Sequence, residues 1–274
     1  MCCSQHAGVF LFYNTEMTDK KLVYANSDEL CEKIADMFGT TIILKFSRGK
    51  DSIAAWLQCR RYFKIIIPVF QYLIPHMKFE DDSLDYYEQY FGTRIVRVPH
   101  PSLYRMLNNW VFQSHPYQLE FIEEYNLVNF DYEDLLSNVK EDYKLPEETY
   151  TAIGLRVADN LVRRTSIRKN GAYNPKTHTF YPIYDWSMDK LIDAIKAEKV
   201  YLPIDYKLIG KSFDGFQATF VQNIKKSLPD DFERIKKFFP LVEADMWRHE
   251  FRRRRIAAQG ATQETESNDE FSIG

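Results

Sequence analysis

A β-branched apolar run, Thr41-Ile42-Ile43-Leu44-Lys45-Phe46, empties into the polar stretch Ser47-Arg48-Gly49-Lys50-Asp51-Ser52, after which the pattern turns helical. A strand that feeds a helix through a tight turn makes an anion site. The helix start carries about half a positive charge and several amides without intrahelical acceptors. Each residue type in the turn adds to this. Gly49 lets backbone approach closely, Lys50 supplies a mobile cation, and Asp51 offers a hard oxygen for magnesium. Ser52 has the chemistry of an N-cap for a helix over 53–62, and residues 41–46 read as a buried parallel strand. Phosphate is the anion such a turn suits.

Two other phosphate loops are excluded. A Walker A loop has a glycine five residues ahead of its Gly-Lys pair and a Ser or Thr directly after it, but Leu44 and Asp51 hold those places here. The dinucleotide fingerprint G-x-G-x-x-G is absent from the chain. A second constellation, Gly154-Leu155-Arg156-Val157-Ala158-Asp159 through Arg163-Arg164, falls where a strand pattern over 149–156 gives way to a helix over 157–165. Guanidinium groups bind phosphate or sulfate bidentately, so Arg156, Arg163 and Arg164 form a candidate anion clamp that Asp159 orients. A solvated helix face is the other reading of Arg163 and Arg164.

The segment Ser47 to Ser52 resembles the S-x-G-x-D-S pyrophosphate loop of the PP-loop ATP pyrophosphatase superfamily. Its S-x-G-K-D-S form is similar to the branch of phosphoadenylylsulfate (PAPS) reductase and the sulfate adenylyltransferase small subunit. Gly154, Arg156, Asp159 and Arg163 match G-x-R-x-x-[DE]-x-x-x-R of PAPS reductase-like proteins. Tyr181-Pro182-Ile183-Tyr184-Asp185-Trp186-Ser187, then Leu202-Pro203 to Gly210, resemble that family's P-I-x-D-W-T and downstream L-P segments. The resemblance covers roughly residues 40 to 215. It implies an adenine nucleotide alpha hydrolase-like, Rossmann-like α/β fold: a parallel twisted sheet with helices on both faces. It also implies ATP as substrate with Mg²⁺, and cleavage between the α and β phosphates to adenylate an acceptor. Ser47, Arg48, Gly49, Lys50, Asp51 and Ser52 would bind the nucleotide, with Asp51 on the metal. Phe70, at the end of the second strand, would meet adenine, and Lys50, Asp51, Arg156 and Arg163 would carry catalysis with Arg164 beside them. The chain departs from the family in one respect. It has no cysteine after Cys59, and Ser212-Phe213-Asp214-Gly215 stands where R-x-G-C is often found, so reduction by a nucleophilic cysteine of this chain is not expected.

The bulk numbers are compatible with an enzyme of this kind. At 274 residues the chain holds one large α/β domain, and a net charge of −3 rules out a polyanion binder as a whole, leaving only local patches. The 20 Phe and 18 Tyr point to an aromatic core and a possible stacking surface. No apolar run approaches the ~20 residues that cross a bilayer. Four cysteines, at 2, 3, 31 and 59, form neither a zinc spacing nor a disulfide framework, so a soluble protein in a reducing cytoplasm is expected. Acylation of Cys2 or Cys3 lacks a second membrane signal. The six histidines show no H-x-x-x-H spacing. His100 reads as a structural histidine or as part of the site's lining, and Cys59 as a core residue.

Around these residues the expected elements are a helix over 27–38, strands over 63–72 and 94–99, and a helix over 81–91 closed by Gly92. Residues 101–145 read as a helical insertion, with Tyr104, Leu107, Trp110 and Val111 on one face and a further helix near 131–139. A helix over 188–198 follows, capped by Ser187, and then a long amphipathic helix over 230–255. The expected organisation is a helical lead-in over 1–40, a nucleotide-binding domain over 41–215, C-terminal helices over 216–256 and a disordered tail over 257–274. Arg252-Arg253-Arg254-Arg255 either opposes the dipole at a helix C-terminus or forms a polyanion patch. Two rival functions are a sulfur-transfer component that modifies nucleic acid with a partner, and a non-catalytic adenine-nucleotide sensor that docks a protein through 101–145 or the tail.

Overall fold

Alternation of apolar and helical stretches produces a six-stranded sheet with helices on both faces. The structure, a computed structural model, describes residues 22–109, 111–113, 117–213 and 215–269. Cys2, Cys3 and Trp110 lie outside the described residues. In chain order the elements are α1 (Ser27–Phe38), β1 (Thr41–Lys45), α2 (Lys50–Cys59), β2 (Ile65–Tyr72), α3 (Lys78–Phe91), β3 (Val96–Pro99), α4 (Pro101–Asn108), α5 (Tyr117–Glu124) and α6 (Tyr132–Asp142). These are followed by β4 (Thr151–Ile153), α7 (Leu161–Asn170), β5 (Tyr173–Asn174), β6 (Thr179–Phe180), α8 (Met188–Ala197), α9 (Ile204–Ile209), α10 (Ala218–Ser227), α11 (Pro229–Phe238) and α12 (Val242–Asp269).

The strand order is β3-β2-β1-β4-β6-β5, parallel except for the short β5. The fold is thus α/β, with the chain reversing its direction of travel across the sheet between β1 and β4. Open sheets of this kind bind ligands in the crevice at the strand carboxyl ends beside such a switch point. β1 ends there in Lys45 and β4 in Ile153, which pair in register. Both residues therefore deliver their following loops to one edge.

Because side chains alternate along a strand, β1 buries Ile42 and Leu44 on one face and Ile43 on the other. The first face packs on α1, α2 and α8 through Leu30, Ile34, Ile53, Trp56, Leu191 and Ile195. On the second, Ile43, Ile67 and Val69 meet Leu135 and Val139 of α6. Asn26 caps α1 by accepting from the Glu29 amide, and Ser187 caps α8 by accepting from the Lys190 amide.

The segment 101–145 does not act as one body. α6 covers the sheet, while Leu103 and Leu107 of α4 join Phe220, Ile224, Phe232, Ile235 and Phe238 of α10 and α11 in a separate core. Two further boundaries differ from expectation. The helix expected over 230–255 is split at Pro240, where the ring removes an amide donor. α12 then continues to Asp269, through the stretch that reads as an unstructured tail from 257. Among the described residues no helix is long and apolar enough to cross a membrane.

Candidate functional site

β1 delivers the turn Phe46 to Gly49 to the switch point, and α2 begins at Lys50, earlier than the sequence suggests. Gly49 is the N-cap and makes no side-chain cap bond. Instead the Tyr206 hydroxyl, brought from α9, accepts from the Lys50 amide at 2.9 Å and satisfies the first orphan donor of the helix. Ser52 is therefore inside the helix. Its hydroxyl donates to the Gly49 carbonyl at 2.8 Å and accepts from the Ser47 amide at 3.2 Å, closing the turn on itself.

Arg48 has a left-handed φ of 61° and a buried side chain. Its guanidinium meets Glu80 at 3.0 Å and Asp205 at 3.3 Å, donates to Ser83, and lies over the rings of Phe70 and Phe79. The side chain proposed for phosphate binding is thus turned into the protein. It anchors the loop to α3 and α9: a buried guanidinium must be paired, and two buried carboxylates contributed from distant segments pair it. Burial pushes the Glu80 carboxyl up to about 7, the nearby Arg48 charge opposing the rise. With two carboxylates on one guanidinium, a proton on Glu80 balances the charge.

Asp51 stands between two cations. Arg156 Nε donates to its Oδ1 at 2.6 Å, and Lys50 Nζ lies 2.8 Å from its Oδ2. Arg156 is 2% exposed and also donates from Nη2 to Asp159 at 2.7 Å and from Nη1 to the Trp186 carbonyl at 3.4 Å. It sits behind Asp51 as a fixed strut and not as an open clamp. Asp159 does orient arginines, holding Arg163 as well at 2.6 Å. α7 starts at Leu161, capped by Asn160, and not near Val157, so Arg163 and Arg164 follow a full loop after Arg156. Arg163 stays exposed, while Arg164 lines a different cleft with Tyr24, Asp185 and Trp186. The three arginines therefore do not converge on one anion.

Gly154, just past β4, packs against the start of α2. A Cβ there would lie 2.6 Å from the Asp51 carbonyl oxygen and 2.9 Å from the Ser52 nitrogen, both backbone atoms. Only a glycine lets these two loops touch.

Between them opens a cavity of 490 Å³. It is lined by Ser47, Ser52 and Gly154, by Phe70 and Gln71 of β2 with Leu73 just beyond it, and by His100 and Met106. His100 is structural as well: its Nδ1 accepts from the Ser102 amide at 3.0 Å, and burial lowers its pKa. Gln71 Nε2 is buried with no hydrogen-bond partner. Lys45, overlooked in the sequence because it closes an apolar strand, also lines the cavity. Its Nζ is 4.9 Å from the Tyr132 ring centroid, no carboxylate among the described residues pairs with it, and burial lowers its pKa. A lysine at the carboxyl end of a strand beside the switch point was the available signal.

Magnesium requires oxygen ligands. Each oxygen of Asp51 holds one cation, and a carboxylate has about four lone-pair sites, so acceptor capacity remains. No group of three His, Cys, Asp or Glu able to hold a metal occurs among the described residues. Asp51 is the residue of the loop whose oxygens could help to hold a magnesium ion, with further oxygens needed from elsewhere. Cys31 and Cys59 are buried free thiols whose pKa burial raises, so neither is a nucleophile at this edge.

The sequence matches no family model and no curated protein at the significance required. Among solved structures, the U34-tRNA thiolase NcsA from Methanococcus maripaludis with its [4Fe-4S] cluster is similar over 79% of this chain and 78% of its own, with a TM-score of 0.41 and 11% identity. The NH3-dependent NAD synthetase from Campylobacter jejuni in complex with nitrate is similar over 82% and 92%, with a TM-score of 0.40 and 12% identity. Likeness at these scores bears on neither activity nor ligand.

Proposed function

We propose that the protein binds ATP with its diphosphate on the Ser47–Ser52 loop and transfers the adenylyl group to an acceptor, releasing pyrophosphate. The observation that carries this reading is the single 490 Å³ cavity joining that loop to the carboxyl end of β2. An acceptor oxygen attacks the α-phosphorus, the bond from it to the bridging oxygen breaks, and the electron pair leaves with pyrophosphate. The charge that develops there meets the α2 amides and the half-exposed Lys50, held before reaction begins. Arg156 fixes Asp51 so that its carboxylate keeps one orientation. Asp51 would hold Mg²⁺, which would supply further neutralisation of the phosphate charge.

At the other end, the backbone of residues 70–73 takes the base beside Phe70, and Gln71 Nε2 offers a donor to a ring nitrogen. Lys45 gives an anionic acceptor a counter-charge within the cavity. Arg163, at the exposed edge, meets the outer phosphate. Arg48 acts only through the loop it anchors. The proposed chemistry is positioning and electrostatics without a dedicated general base.

The test incubates the protein with magnesium and ATP, adenylylsulfate or PAPS, with products identified by mass spectrometry. Lys50→Ala should abolish pyrophosphate release while the melting temperature holds. Asp51→Ala should abolish it as well but melt lower, because buried Arg156 loses a carboxylate. Asp51→Asn, which keeps an acceptor for Arg156, should lose release with a smaller drop. Unchanged turnover in both alanine variants removes the assignment, and equal affinity for ATP and a non-hydrolysable analogue without pyrophosphate release replaces it with a nucleotide sensor.

A further inference from the structure

α12 runs on to Asp269, so Arg252 to Arg255 lie mid-helix, well before its C-terminus. Opposition to the helix dipole, which acts only over the last turn, cannot account for them. Their neighbours suggest another use. Residues of α12 at helical spacing, Trp247, Glu250, Arg253 and Arg254, face Lys225 and Lys226 of α10 across a groove of 620 Å³. Four cations line it against one carboxylate, Glu250, which pairs with Arg254 at 2.6 Å. Lys225 is paired with Glu243 at 2.5 Å, while no ion pair among the described residues holds Lys226 or Arg253. Trp247 is 72% exposed and Phe251, one turn on, 69%.

We infer that the groove between α10 and α12 binds single-stranded nucleic acid. An excess of cations on a chain whose net charge is −3 attracts a polyanion locally, and an aromatic side chain standing among them offers a face on which a base stacks. A duplex keeps its base faces covered and cannot use Trp247. A bilayer surface needs a broad apolar stripe, but among the described side chains of α12 the exposed apolar row is Trp247 and Phe251, because Ile256 falls nearly opposite on the helix. The inference is independent of nucleotide chemistry at the Ser47–Ser52 loop.

The full chain is titrated into fluorescein-labelled strands of about 20 nucleotides, DNA and RNA in separate arms, at salt from about 50 to 200 mM. Duplexes of the same sequence, phosphatidylserine vesicles and poly-glutamate competitor serve as contrasts. Single strands should bind, with affinity falling on a log-log salt slope of about −2 to −3 as three or four phosphates are neutralised. Lys226→Glu with Arg253→Glu should weaken binding at least about tenfold and flatten that slope. Trp247→Ala should cost about tenfold and Trp247→Phe much less, a difference that charge alone does not produce. All these positions are exposed or at the groove rim, and circular dichroism confirms folding. No strand binding at low salt, equal affinity in Trp247→Ala, tighter binding to duplex or vesicles, or displacement by poly-glutamate as effective as by unlabelled strand would each overturn the inference. Pyrophosphate release by Lys226→Glu/Arg253→Glu, or the lack of it, reports separately on the adenylylation reading.

Discussion

Gly154→Ala tests how tightly the two loops at the switch point are fitted. The added Cβ would stand 2.6 Å from the Asp51 carbonyl oxygen, 2.7 Å from its carbon and 2.9 Å from the Ser52 nitrogen. Ordinary contact begins at 3.4 Å, so the start of α2 must retreat by about 0.8 Å from β4, and no side chain can rotate away to absorb it. Overpacking of this kind costs about 1–3 kcal/mol, which for a chain of this size lowers the melting temperature by about 2 to 10 °C. The retreat also moves Asp51, whose carboxylate Arg156 holds from the β4 side at 2.6 Å. A displacement near 1 Å at reacting groups lowers turnover by up to about 100-fold, so pyrophosphate release should fall between about 10- and 100-fold. Gly49→Ala is the control: its Cβ would meet Ser212 Oγ at 3.0 Å and Ser47 Oγ at 3.3 Å, hydroxyls that can turn aside, and it should cost under about 1 kcal/mol. Calorimetry and a coupled pyrophosphate assay on both variants decide the matter. If Gly154→Ala melts no lower than Gly49→Ala and keeps full turnover, close backbone approach is not what sets the loop.

Glu80 gives the fold a pH dependence of known sign. Its folded pKa of about 7 exceeds the ordinary 4.5, so between those values the folded chain keeps a proton that the unfolded chain releases, and stability falls as pH rises through that window. The full effect is up to about 3 kcal/mol, and Glu80→Gln should flatten it; urea midpoints at pH near 5 and near 8 that drop equally in both proteins would refute the assignment. Arg48→Met leaves Glu80 and Asp205 buried without their counter-charge and should cost about 3–5 kcal/mol in urea denaturation. Arg48→Met/Glu80→Gln/Asp205→Asn should recover part of that loss, and no recovery would show that Arg48 matters for packing and not for charge.

What the sequence made legible and what it hid divide by range. Residues 41–52 carried strand, turn and helix in consecutive positions; α1 was readable from its periodicity, and α8 from its periodicity and its Ser187 cap, because these cues lie within a few residues. Parallel pairing of β1, β2 and β3 follows from the recurrence of strand, helix and strand, whereas the reversal that puts β4 beside β1 has no local signal. Cues from far away were not readable. Arg48 looked like a phosphate ligand because its two carboxylates come from positions 32 and 157 residues distant. Ser52 looked like a cap because nothing local announces that Tyr206 takes the first amide of α2. Arg156 looked like a clamp until its distance to Asp51, 105 residues earlier, showed that it is spent on holding that carboxylate. In each case a polar residue at the loop, judged alone, faces solvent and ligand, whereas a buried counter-charge turns it inward and makes it a support for the residue next to it. The loop's open chemistry therefore falls to its amides, Lys50 and Asp51. The cation facing the cavity without a carboxylate partner is Lys45, whose place at a strand end made it look like part of the core.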